Sequence, residues 1–112
     1  MAVENWSETV LLGELSDDPQ YTDDLNAIIE QCTNNRQLDV VLNFANVTYL
    51  NSSNIAKLLK LRKLVVITNE RRLILCAINR QVWGVFLVTG LDNIFDVVDD
   101  VATGLASLQI GK

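Results

Sequence analysis

Apolar and polar residues alternate along the chain in blocks that predict strands and amphipathic helices in turn. Residues 9–12 form a short β-prone run that ends at Gly13, which predicts a first strand. The dipeptide Asp18-Pro19 predicts a helix start, because a capping residue stands directly before proline. Apolar side chains then recur at helical spacing and define one face of this helix: Tyr21, Leu25, Ile28, Ile29 and Cys32.

Three further apolar runs predict strands. Residues 38–44 and 72–77 are short and almost continuously apolar, which is typical of strands covered on both faces. Residues 95–98 predict a shorter strand near the end of the chain. Each predicted strand is separated from the next by a stretch long enough for a helix, so the strands are expected to pair in parallel.

The intervening stretches and the last one predict three more helices. Asn79 caps a helix that stops at Gly90, and Asp99 with Asp100 opens the last helix. The helix over residues 55–65 is expected to be mostly buried, since only a narrow stripe of it stays polar: Lys57, Lys60 and Lys63. The chain is therefore predicted to be a single α/β domain over residues 1–112, with a mostly parallel sheet flanked by four helices.

Composition narrows the function classes. The 112 residues include no histidine, which removes the commonest general base and most zinc ligand sets. The two cysteines, Cys32 and Cys76, lie in apolar patterns and are expected to be reduced core residues. The longest apolar run, residues 82–88, is far shorter than the ~18 residues that cross a bilayer. We therefore expect a soluble, cytoplasmic protein without membrane insertion.

Charge is distributed unevenly within the net value of −5. Residues 1–35 carry −8, residues 36–80 carry +6, and residues 81–112 carry −3. A basic middle could form a nucleic-acid face, but no aromatic residue interleaves its lysines and no nucleic-acid motif is present. A solvated lysine stripe on one helix explains the same pattern, so no direct nucleic-acid contact is expected.

The residues that could take part in catalysis do not favour an enzyme. The pairs Asp17-Asp18 and Asp23-Asp24 could suggest acid–base or metal chemistry, but they lie around a helix start without a third ligand type. Cys76 has no histidine to activate it. We expect no catalytic residues, no metal and no cofactor.

The polar cluster of residues 51–54, Asn-Ser-Ser-Asn, follows a buried strand and opens the helix after it. Unpaired backbone N–H groups and the positive end of the helix dipole favour an anion there, so a phosphorylated hydroxyl would be tolerated. From local chemistry alone, plain capping of the helix by Asn or Ser is the favoured explanation of the cluster.

A family resemblance favours the first interpretation. The stretch VVLNFANVTYLNSSNI at residues 40–55 resembles the central motif of the STAS domain, found in anti-sigma factor antagonists and sulfate transporters. In that family a strand leads to Asp-Ser-Ser/Thr-Gly at a helix start. Residues 89–95, TGLDNIF, resemble the family's Thr-Gly-Leu-x-x-x-Phe segment. The match covers residues 8–108 and implies a four- or five-stranded mixed sheet flanked by helices.

The resemblance implies an anti-sigma factor antagonist that acts by protein contact. Such a protein binds a serine-kinase anti-sigma factor, is phosphorylated by it, and is restored by a PP2C-type phosphatase. By position the phosphorylated residue is Ser52, with Ser53 as the alternative. The partner contact is then expected at the residues around it: Asn51, Ser52, Ser53, Asn54 and Lys57.

Two residues depart from the family motif. Asn51 replaces the aspartate, keeps the ability to cap the helix, and is expected to slow phosphorylation. Asn54 replaces the glycine and is expected to add a side chain where a partner approaches. Two alternatives stay open: an interaction module that is never phosphorylated, and a small-ligand or lipid-handling module, which an apolar cleft near Trp83 would favour. The sequence also leaves the oligomeric state open.

Overall fold

Five strands form one mixed sheet in the order β1-β2-β3-β4-β5. The structure is a computed structural model and describes residues 2–110. Strands β2 to β5 pair in parallel, and β1 pairs antiparallel with β2. The strands are Val3–Asn5 (β1), Val10–Ser16 (β2), Asp39–Asn46 (β3), Leu73–Cys76 (β4) and Asp96–Val98 (β5). The predicted mixed, mostly parallel sheet is confirmed, in its five-stranded form.

Four helices cover the two faces of the sheet unequally. They are Gln20–Asn34 (α1), Ser52–Arg62 (α2), Arg80–Thr89 (α3) and Val101–Ile110 (α4). Helices α1, α2 and α3 connect successive neighbouring strands, so right-handed crossovers place all three on one face. Their apolar side chains join the larger core cluster, whereas those of α4 pack with the smaller cluster on the other face. The four predicted helices are thus confirmed.

Strand β3 lies at the centre of the sheet and is buried on both sides. Val40, Leu42 and Phe44 belong to the core under the three-helix layer, while Val41 belongs to the core under α4. All four side chains are fully buried. This two-sided burial explains the continuous apolar run, and it fixes the position of the loop that follows β3.

Two details of the first strands differ from the sequence prediction. Strand β1 was not predicted, because its three residues include only one buried apolar side chain, Val3. Gly13 does not end the strand but lies inside β2, where it pairs with Leu42. A Cβ atom there would lie 2.8 Å from Ile28 Cδ1, so α1 approaches the sheet closely at this glycine. The turn preference of glycine concealed this packing role.

Helix α2 is less buried than the sequence predicts. Leu58 and Leu61 are fully buried, but Leu59 is 37% exposed and Ala56 is exposed as well. The prediction of a mostly buried helix is therefore wrong, because its apolar composition is spread over more than one face. Beyond Arg62 the helix continues as a π-helical segment, Lys63–Thr68, which the apolar pattern does not distinguish from α-helix.

Helix α4 lies against the sheet at Gly104. A Cβ atom at this position would lie 3.3 Å from Val41 Cγ1, and Ile74 and Val98 are almost as near. We expect Gly104→Leu to lower the free energy of unfolding by about 2 kcal/mol, since the added side chain must separate helix and sheet. Urea denaturation measures this. Ala106→Leu, on the exposed side of α4, is the matched control and should change stability by less than about 0.5 kcal/mol.

Candidate functional site

The polar cluster predicted from the sequence lies at the start of α2, directly after the loop that leaves β3. Asn51 is the N-cap residue, and its Oδ1 accepts a hydrogen bond of 2.8 Å from the backbone N–H of Asn54. In return the backbone N–H of Asn51 donates to Asn54 Oδ1 at 3.1 Å. The two asparagines therefore form a reciprocal capping box, which satisfies two backbone donors at the helix start.

Asn54 also ties this helix start to α1. It is only 2% exposed, and its Nδ2 donates to Asp18 Oδ2 at 2.8 Å. Its backbone carbonyl accepts a 3.0 Å hydrogen bond from the buried hydroxyl of Tyr21. The side-chain oxygen, the side-chain nitrogen, the backbone N–H and the backbone carbonyl of Asn54 thus each take part in a hydrogen bond. Burial raises the pKa of the Tyr21 phenol, and the Asp18 charge adds to this effect.

The inward position of Asn54 corrects one expectation. The sequence suggested that its side chain would project where a partner approaches, but the side chain is buried against α1. The reason is the distant carboxylate of Asp18, 36 positions away in sequence, which no local pattern reveals. The side chain of Asn54 accordingly stabilises the helix start from the protein interior and is not itself an exposed contact group.

The two serines between the asparagines face solvent. Ser52 and Ser53 are both exposed, as is Asn51, and neither hydroxyl donates or accepts a hydrogen bond within residues 2–110. Lys57, one turn further along, is partly exposed, and its Nζ donates to Asn26 Oδ1 at 2.8 Å. The structure therefore brings Asn51, Ser52 and Ser53 together on one surface, with Lys57 on the same helix.

Two carboxylates from the β2–α1 connection hold the surrounding loops. Asp17 accepts from the backbone N–H and the hydroxyl of Thr48, at 2.8 and 2.6 Å. Asp18 Oδ1 accepts from the hydroxyl and backbone N–H of Thr22, at 2.6 and 3.0 Å. The side-chain bond from Thr48 is the main reason that the pKa of Asp17 lies below its ordinary value. For Asp18 the lowered pKa comes first from the Thr22 hydroxyl and then from Asn54.

These anchoring roles were not predicted. The sequence showed only that the acidic pair lies at a helix start, because Thr48 lies 31 positions away from Asp17. An aromatic neighbour was also missed: Tyr49, 45% exposed, lies in the loop just before the capping box. On the other side Asn79 Nδ2 donates to the Val47 carbonyl at 2.8 Å, so the start of α3 supports the same loop.

Neither cysteine is in a state that favours nucleophilic chemistry. Cys32 and Cys76 are unpaired and buried, and burial raises the pKa of each thiol to about 11, which disfavours the nucleophilic thiolate. Residues 2–110 hold no cluster of three His, Cys, Asp or Glu side chains placed to bind a metal ion. Within the same residues no helix is both long and apolar enough to cross a bilayer.

Comparison with known families agrees with this fold and this loop. The family model for the STAS domain matches residues 19–104, which include α1, β3, the helix start at residues 51–54, β4 and α3. The chain belongs to the STAS domain family. The family recognised from the two sequence motifs is thereby confirmed. No curated protein sequence matches the chain.

Several solved structures share the fold. An anti-sigma factor antagonist (STAS) domain protein from Planctomyces limnophilus superposes with a TM-score of 0.81 at 13% identity, covering 96% of each chain. The anti-sigma factor antagonist SpoIIAA in its unphosphorylated form gives 0.78 at 17% identity, over 98% of this chain and 96% of that one. The Bacillus cell fate determinant SpoIIAA in its phosphorylated form gives 0.70 at 16%, over 94% and 95%. At these identities the likeness establishes a common fold.

The buried contacts of Asn54 predict the effect of restoring the family's glycine. Asn54→Gly removes the bonds to Asn51 and Asp18, so we expect the free energy of unfolding to fall by about 2 kcal/mol. The pKa of Asp18 should also rise toward its ordinary value, because one of its donors is lost. Urea denaturation and NMR titration measure the two quantities.

The matched control is Ser53→Gly, which introduces the same residue at the neighbouring exposed position. Only helix propensity changes there, so the loss should be about 0.5 kcal/mol. Equal losses for the two variants would show that the Asn54 side chain adds nothing to the stability of this helix start.

Proposed function

We propose that this STAS domain is an anti-sigma factor antagonist that binds a serine-kinase anti-sigma factor through the exposed start of α2. The contact surface comprises Asn51, Ser52 and Ser53, with Lys57 one turn away. The observation that carries the proposal is the exposure of two serine hydroxyls on a helix start whose backbone is held by the capping box and by α1. A rigid, exposed turn of this kind loses little conformational entropy when a partner binds.

Phosphorylation of Ser52, with Ser53 as the alternative, would end that contact. A phosphate adds about −1.5 to −2 charges. At the first turn of α2 the helix dipole and the free N–H groups tolerate it, so the isolated domain keeps its fold. In a packed interface the same charge must be desolvated and would repel carboxylates of the partner. One modification therefore separates the partners without unfolding either, and a PP2C-type phosphatase would restore binding.

Family membership supports this reading, and two of the structural neighbours are one protein, SpoIIAA, in an unphosphorylated and a phosphorylated form. The serines of this chain occupy the helix start that the family motif identifies. A regulator of this kind acts through binding, so the proposal assigns the chain no catalytic step. It also gives the buried cysteines and the acidic pairs structural roles.

A module that handles a small ligand is the second candidate, and one observation favours it. A cavity of about 300 Å³ lies beside Trp83, lined also by Ile78, Val97, Val98 and Asp99. That volume is at the lower end of the range for small-molecule sites. Its wall includes a carboxylate, so it does not match the apolar cleft that a lipid tail would need.

The proposed contact surface predicts how a charge at Ser52 affects binding of the kinase. Ser52→Asp places a permanent negative charge on the proposed contact surface, so we expect its affinity for the cognate kinase to fall at least about tenfold. Isothermal titration of the kinase with both forms measures this. The fold should be unchanged, since an acidic residue suits the first turn of a helix.

Thr103→Asp provides the matched control. Thr103 is also an exposed hydroxyl residue in the first turn of a helix, but it lies in α4 on the opposite face of the sheet. Its affinity for the kinase should equal that of the wild type. Equal affinities for wild type, Ser52→Asp and Ser53→Asp would contradict the proposed surface, and a loss with Thr103→Asp alone would move it to α4.

A separate prediction concerns Asn51, which stands where the family motif has an aspartate. Asn51→Asp keeps the cap, because a carboxylate accepts the same bond from the Asn54 N–H. It restores the family's carboxylate beside Ser52, so we expect phosphate transfer from the kinase to become about tenfold faster. The rate of ³²P incorporation, with Ser52→Ala as the blank, measures this. An unchanged rate would mean that Asn51 does not limit the reaction.

A further inference from the structure

The side of the molecule formed by β5 and α3 carries a groove that the proposed kinase contact does not use. The groove is the cavity of about 300 Å³ between Ile78, Trp83, Val97, Val98 and Asp99. It lies where β4 and β5 end and α3 begins. Carboxyl ends of parallel strands are the usual place for binding crevices in α/β sheets.

The groove borders an open strand edge. Strand β5 is the last in the sheet and pairs only with β4 among the described residues, so its outer backbone groups face no strand. An extended segment can add to such an edge through main-chain hydrogen bonds, while neighbouring pockets accept its side chains. Val97 and Val98 both line the groove, so the cavity adjoins the last residues of that strand.

Aromatic surface lines the same groove. Trp83 is partly exposed, and its ring stacks on Phe86 with centroids 5.9 Å apart and planes 19° apart. Its indole nitrogen has no hydrogen-bond acceptor within residues 2–110, so the N–H remains available to a ligand. A fixed aromatic wall with a free donor is typical of an interface anchor.

The charged residues near the groove favour a cationic ligand. Four aspartates lie within residues 92–100, and this stretch contains no basic residue. Asp100 is used to cap α4, by accepting from the Thr103 N–H at 2.8 Å, whereas Asp96 and Asp99 are exposed and form no salt bridge within residues 2–110. Arg80, exposed at the start of α3, is the cation nearest in sequence to the groove wall. Arg62 contacts the residues before β5, where its Nε donates to the Ile94 carbonyl at 3.0 Å, but residues 96–100 themselves carry only acidic charge.

The same charges argue against a second copy of the chain at this edge. Pairing of two β5 strands would bring equal Asp96 and Asp99 carboxylates together, and like charges across a strand pair are destabilising. A short edge strand flanked by charges is a known way to prevent self-association. A positively charged segment meets no such repulsion.

We propose that the β5 edge and the Trp83 groove bind an extended, basic protein segment. Its backbone would pair with β5, and successive Arg or Lys side chains would meet Asp96 and Asp99, one on each face of the strand. An aliphatic stem or a neighbouring apolar residue would fill the cavity beside Trp83. None of the residues that line this groove belongs to the proposed kinase contact surface, so the groove provides a second attachment point that phosphorylation of Ser52 does not occupy.

The test uses the full chain in a Trp6→Phe background, in which Trp83 is the only tryptophan. The probe is a terminally blocked peptide of about six residues in which Val and Arg alternate. We expect a saturable change in Trp83 emission that weakens with added salt. A peptide of alternating Val and Glu should cause none. No saturable change with the basic peptide, or an equal change with both, overturns the proposal.

Matched variants locate the site. The double variant Asp96→Asn, Asp99→Asn should weaken binding of the basic peptide about tenfold. The double variant Glu4→Gln, Glu8→Gln removes the same charge from the opposite edge of the sheet and should leave the affinity within about twofold. Equal weakening by the two pairs would show attraction to net charge alone and would contradict the assigned groove.

Two further outcomes would also overturn the proposal. Blocked arginine amide binding as tightly as the peptide would identify a small cation site without strand addition. A change of Trp83 emission with protein concentration alone would identify a second copy as the occupant. Ser52→Asp should leave peptide affinity unchanged, which separates this surface from the proposed kinase contact.

Discussion

The side chain of Asn54 makes the helix start of this domain a fixed structure. A buried side-chain amide is costly unless its polar atoms are paired, and here they pair with Asn51 and Asp18. The backbone carbonyl of Asn54 accepts a further bond from the Tyr21 hydroxyl. The network joins the first turn of α2 to α1, which is 15 residues long and well packed. The position of the first turn of α2 is in turn set by β3, which is buried on both faces of the sheet. The two serines stand on the outside of this arrangement.

The residue type at position 54 matters for this arrangement. A glycine at position 54 would leave the Asn51 N–H and Asp18 without their partner. Asparagine supplies both an acceptor and a donor, and its inward position leaves the surface of Ser52 and Ser53 open. Asn51 and Asn54 are bonded reciprocally, since the side chain of each accepts a hydrogen bond from the backbone N–H of the other. The carboxylates of Asp17 and Asp18 fix the loops on either side.

Much of the fold follows from local patterns, and most of the site contacts do not. The apolar run at Val40, Val41 and Leu42, the cap at Asn79 and the left-handed stop at Gly90 all act over a few residues, so the sequence shows them. The motif at residues 51–54 is likewise local, and it indicates the candidate site. The bonds from Asn54 to Asp18 and from Thr48 to Asp17 span more than 30 positions, and no spacing rule indicates them. Strand β1 and the exposure of Leu59 were missed because both depend on tertiary packing.

The central claim is that Asn54 and Asp18 form one energetic unit beneath the serines. A double-mutant cycle with Asp18→Ala and Asn54→Ala tests it directly, because it isolates the free energy of their interaction from the effect of each substitution. From urea unfolding of the four proteins we expect a coupling free energy of about 1–2 kcal/mol, as for a part-buried bond to a charged group. Additive losses, with a coupling near zero, would contradict the account and leave the helix start held by its own cap alone.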